Sequence, residues 1–83
     1  MNKEFALVAL RKDGRAREVY HPRFYGSLRS AVTLACERAR KLNSRIAVLV
    51  IGTPFASSKR VAIVFPDCTV ATVNRMYKAG KRL

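Results

Sequence analysis

At 83 residues and 49% hydrophobic content, the chain has enough apolar material for one small core and too much for a low-complexity basic tail. Its 17 Lys and Arg against five Asp and Glu leave a formal net charge of +12, which points to a polyanionic partner, with nucleic acid first because neutralised phosphates release counterions. The longest apolar run, Ile46 to Ile51, falls far short of the roughly 20 residues that cross a bilayer, and Met1-Asn2-Lys3-Glu4 does not open a signal peptide. One cytoplasmic domain over residues 1–83, of bacterial or phage origin, is expected.

Glu4 to Arg11 is rich in apolar residues, Asp13-Gly14 supplies a turn, and Arg15 to His21 alternates polar with apolar side chains, so the spacing predicts a β-hairpin. Pro22 lacks a backbone donor and Gly26 permits unusual torsions, so His21 to Gly26 reads as a connecting loop. Ser27 is an N-cap candidate. From Leu28 the apolar positions recur at Ala31, Val32, Ala35, Cys36, Ala39 and Leu42, the three-and-four spacing of a helix that ends at Asn43.

Arg45 to Ile51 is a β-branched run without alternation, the pattern of a central strand. Gly52 to Lys59 then reads as a loop and Arg60 to Phe65 as a strand. Beyond Pro66 two readings compete. Asp67 as N-cap, a stripe of Val70, Val73, Met76 and Tyr77, and Gly80 as stop favour a short helix, whereas Thr69 to Val73 has strand propensity; the capping pattern favours the helix. Residues 78–83 form a basic tail.

The expected fold class is therefore α+β: a small single domain, ββαββ, with an antiparallel sheet in the order 2-1-3-4 and one main helix on one face. Such a sheet leaves its other face available to a ligand.

Around the junction of second strand and helix, Tyr20, His21, Arg23, Phe24, Tyr25 and Arg29 interleave aromatic and cationic groups. Bases stack on aromatic rings while arginines take phosphates, so this suits single-stranded nucleic acid; the competing reading makes Phe24 and Tyr25 a hydrophobic anchor for the helix start. Phosphate contacts are assigned to Arg11, Arg15, Arg17, Arg23 and Arg29, stacking to Tyr20 and Tyr25, and an extension of the surface to Lys59 and Arg60. Further cations lie at Lys12, Arg75, Lys78, Lys81 and Arg82. Cys36 and Cys68 have neither CxxC spacing nor a histidine cluster, so no metal or other cofactor is expected and both read as reduced, buried thiols.

The leading reading is a noncatalytic module that holds RNA or DNA mainly through phosphates. The alternative is a small accessory or inhibitor protein, phage-type, that docks its basic face on an acidic protein or in the nucleic-acid channel of a host complex. A third is a basic RNase toxin with His21 as general acid or base and Arg23 or Tyr25 stabilising phosphate charge. An uncovered edge of the Arg45 to Ile51 strand could also pair two copies into a homodimer.

Overall fold

A computed structural model of the chain describes residues 3–52, 57–72 and 74–78, without the side chains of Tyr20, His21 and Pro22. The elements are β1 (Lys3–Leu10), β2 (Ala16–Gly26), α1 (Leu28–Leu42), β3 (Ile46–Val50), β4 (Lys59–Val64), β5 (Thr69–Ala71) and β6 (Met76–Lys78). All strand pairs are antiparallel and the sheet order is β2-β1-β3-β4-β5-β6. The fold is α+β. Its first four strands take the neighbours expected, but the ββαββ pattern is incomplete, because two further strands follow β4.

The first hairpin turns where Asp13-Gly14 predicts. Gly14 adopts φ +88° and its N–H donates to the Arg11 carbonyl at 2.9 Å, a backbone position that disfavours a side chain. α1 begins and ends as its sequence dictates. The Ser27 hydroxyl accepts from the Ser30 N–H at 3.1 Å, and Asn43 closes the helix in the left-handed region with its N–H donating to the Ala39 carbonyl.

The segment from His21 to Gly26 is strand, not loop: β2 runs through it, with Phe24 opposite Phe5 and Tyr25 opposite Glu4. Pro22 is tolerated because β2 is an edge strand, and register shifts between Phe5 and Leu7 and between Leu7 and Val8 absorb the irregularity. The favoured short helix after Pro66 is likewise absent from the described residues. Asp67 accepts the Thr69 N–H at 2.9 Å in a local turn, and the chain then enters β5, where Val70 is fully buried opposite Val64. Val73 and residues 79–83, which carry Gly80 and most of the tail, lie outside the described residues, as do residues 53–56 of the expected long loop.

One sheet face packs on α1. Phe5, Leu7, Ala9, Ile46, Val48, Val64 and Val70 meet Ala31, Val32, Ala35 and Ala39, and the alanine stripe lets helix and sheet approach closely. Each large aliphatic side chain so buried contributes about 1.5–3 kcal/mol. Within this core Cys36 of α1 and Cys68, in the turn before β5, form a disulfide across a Cα–Cα distance of 5.1 Å, so neither is a free thiol. Their separation of 32 residues hides a pairing that only tertiary packing creates.

The other face has no helix on it among the described residues, yet it is apolar. In register across all six strands lie Val19, Val8, Ala47, Ile63, Ala71 and Met76. Val8 and Ala47 are buried by their neighbours, whereas Val19 and Met76 at the two ends are 53% and 66% exposed. β3, being hydrogen-bonded on both sides by β1 and β4, offers no edge for the pairing of two copies; among the described residues the outer strands are β2 and β6.

Candidate nucleic-acid interface

The antiparallel register carries the candidate cations to two opposite ends of the strands. Arg11 and Lys12 follow the end of β1, Arg15 and Arg17 begin the return strand, and Arg45 precedes β3, so these five sit at the hairpin end. Arg23, Tyr25 and Arg29 lie where β2 hands over to α1, and Lys59 and Arg60 join them because β4 starts opposite Val50 and Leu49. Leu10 is roughly 17 Å from Phe5 along the strand at about 3.4 Å per residue, so the nine predicted residues do not make one compact patch.

At the hairpin end the cations surround a hollow of about 290 Å³ whose wall includes Arg11, Lys12, Arg17, Asn43, Ser44 and Arg45. Two of the guanidinium groups are held in place. Arg45 Nη2 donates to the carbonyls of Arg11 at 2.7 Å and Lys12 at 3.0 Å, and Arg17 Nη1 donates to Ser44 Oγ at 3.3 Å. Each guanidinium has five N–H donors, so both keep further donors for a ligand. None of the described residues lining the hollow carries a carboxylate. The nearby Asp13 accepts the Arg15 N–H at 2.9 Å and lies 3.9 Å from the Arg15 guanidinium, which leaves Arg15 at the exposed turn.

The helix C-terminus also points to this end, and its negative pole, roughly half an elementary charge, attracts cations without any ligand. Arg40 and Lys41 already occupy the last turn of α1 and offset that charge. The four cations of the hollow exceed what the pole can neutralise, so an unbalanced positive field remains.

The other end carries as many cations, Lys3, Arg23, Arg29, Lys59 and Arg60. Arg23 pairs with Glu4 at 3.2 Å, an exposed contact worth about 0–1 kcal/mol. Tyr25 is 70% exposed while Phe24 packs against the core, so the aromatic pair divides between the two readings: Phe24 anchors and Tyr25 faces solvent. Arg29 stands in the first turn of α1, where no acidic residue occurs, and a cation at the positive helix pole costs about 0.3–1 kcal/mol. Lys59 and Arg60 are exposed. The side chains of Tyr20 and His21, and with them the stacking and acid–base roles assigned to them, lie outside the described residues, as do Lys81 and Arg82.

Sequence reasoning missed Arg45 and Ser44. Both follow the helix stop directly, a place that reads as connection, and they reach the hollow only because β3 pairs with β1. Arg75 serves locally, its guanidinium 4.9 Å over the Tyr77 ring, and Lys78 reaches the Asp67 carbonyl at 3.0 Å. No group of His, Cys, Asp and Glu among the described residues has a metal-binding arrangement.

What these features define is a small basic α+β domain with a hollow rimmed by cations at one sheet end and an apolar face that no helix covers among the described residues. Comparison with protein-family models, with curated proteins and with solved structures finds no match to the chain.

Proposed function

We propose that the protein is a noncatalytic nucleic-acid-binding module that holds its ligand mainly through phosphates. The observation that carries this reading is the hairpin-end hollow, where Arg11, Lys12, Arg17 and Arg45 converge without a lining carboxylate. Two of those side chains are fixed by protein hydrogen bonds before any ligand arrives, which lowers the ordering cost of binding. Arg29 at the positive helix pole adds support, because a bound phosphate would relieve a charge placement that is unfavourable in its absence.

The two ends are separable by experiment. Replacing Arg11, Arg15 and Arg17 by Gln should lower the salt dependence of binding by about 0.7 to 0.9 in log–log slope for each phosphate that is no longer neutralised. Replacing Arg23, Arg29 and Arg60 by Gln should lower it less. Equal reductions at both ends would remove the hollow from its leading place, and an unchanged slope in both variants would end the reading.

A second reading, an accessory or inhibitor protein, draws on the open sheet face. Sheets that read single-stranded RNA stack bases on exposed aromatic rings, but the row Val19, Val8, Ala47, Ile63, Ala71 and Met76 carries none, and Tyr25, opposite Glu4 on the same face, stands at the edge strand. An apolar face rimmed by cations suits an acidic protein segment better than a base. That arrangement predicts weak affinity for free RNA and DNA, together with binding that Met76→Asp abolishes.

A further inference from the structure

Resting on the nucleic-acid reading, we propose that the hairpin-end hollow seats a terminal phosphate monoester, the phosphorylated end of a strand, in preference to an internal diester. The shape comes first. At about 290 Å³ the hollow is an open depression at the lower edge of the size range of ligand pockets, with Leu10 and Pro66 completing the wall that the cations rim.

Charge points the same way. An internal diester carries one negative charge, while a terminal monoester carries about −1.5 to −2 at pH 7 and presents three acceptor oxygens. Four cations around one small hollow exceed the charge of either form, and a dianion offsets about twice as much of the excess as a monoanion does. The donors are of the right kind: the forked guanidinium groups of Arg17 and Arg45 suit bidentate phosphate recognition, and Lys12 adds a point charge. Arg45 has its Nη2 hydrogens committed to the Arg11 and Lys12 carbonyls, so its Nε and Nη1 sides are the ones left for the ligand. The Ser44 hydroxyl, which accepts from Arg17 at 3.3 Å, lies among the lining groups and ties the Arg17 wall of the hollow to the helix terminus.

The test compares one oligonucleotide sequence with a 5′-phosphate, with a 3′-phosphate and with hydroxyls at both ends, by fluorescence anisotropy at fixed salt. One phosphorylated form should bind about tenfold more tightly than the hydroxyl form, the gain expected of a single charge-assisted pair, and the end that shows it identifies the source of the phosphate. In Arg17→Gln and Lys12→Gln, both at exposed positions, all three oligonucleotides should bind more weakly, but the phosphorylated form should lose severalfold more than the hydroxyl form, so that its advantage shrinks; an equal loss for all three would overturn the seat. Backbone amide shifts of Ser44 and Arg45 on titration with inorganic phosphate should report the same site. Equal affinity for all three oligonucleotides would overturn the seat and leave the module standing. Failure of the hydroxyl form to bind at physiological salt, with no gain from either phosphate, would overturn both.

Discussion

Arg45 and Arg11 are joined across the end of the sheet: the guanidinium of the first donates to the carbonyl of the second at 2.7 Å, and beyond it to Lys12 at 3.0 Å. The start of β3 is thereby tied to the β1–β2 turn, and the cations that line the hollow are placed by the same contact. The proposed binding surface and the fold share a residue here.

Arg45→Lys should therefore weaken both. Lysine keeps the charge but has no fork to span two carbonyls, so a drop of about 1–2 kcal/mol in urea unfolding is expected, with weaker nucleic-acid binding. Arg15→Lys, at the exposed turn, should change stability by less than about 0.5 kcal/mol. Equal effects at the two positions would show that the Arg45 hydrogen bonds hold nothing.

The Cys36–Cys68 disulfide closes a loop with a sequence separation of 32, which by chain entropy corresponds to roughly 3–4 kcal/mol. Thermal unfolding with and without a reductant should show a drop in melting temperature on reduction, and the Cys36→Ala, Cys68→Ala double variant should melt at the lower temperature in both conditions. An oxidised protein with the same melting point as the reduced one would remove the crosslink from the stability of the fold.

Asp67 supplies a pH dependence with a defined sign. Its carboxyl is held below the ordinary value of 3.8, first by the Thr69 backbone N–H and then by the Thr69 side chain, against the opposing effect of desolvation, with Lys78 adding a smaller downward pull. A depressed folded-state value means that the ionised form favours the native state. The contribution is complete above the unfolded value and is lost as the pH falls through the folded one. Acid unfolding of Asp67→Asn should accordingly begin from a lower stability at neutral pH and decline less between neutrality and the folded value; a wild-type acid limb identical to that of the variant would contradict this.

Much of the fold was legible in the chain because local chemistry and tertiary packing agree there. Ser27 and Asn43 bound a helix whose alanine stripe meets the sheet, Asp13-Gly14 turns the hairpin, and Ile46 to Val50 lies between two strands as an uninterrupted apolar run implies. Where the reading failed, a nonlocal contact outweighed a local signal. Pro22 looks like a breaker, yet an edge strand needs no donor on its outer side. Asp67 looks like a helix cap, yet Val70 finds its burial against Val64 and the crosslinked Cys68 fixes the turn between them. The site was legible in its charge and not in its geometry. Arg11 and Arg17 were within reach of sequence reasoning, whereas Arg45 and Ser44 join them only through the pairing of β1 with β3.

The most direct measurement is the affinity of the purified, nuclease-treated protein for single-stranded RNA, single-stranded DNA and duplex DNA over a salt series. A phosphate-holding module should bind at least one of them with submicromolar affinity near physiological salt, with a log–log slope that corresponds to several neutralised phosphates. Binding to all three that is weak and vanishes at that salt would contradict it, and would assign the +12 charge to a protein partner instead.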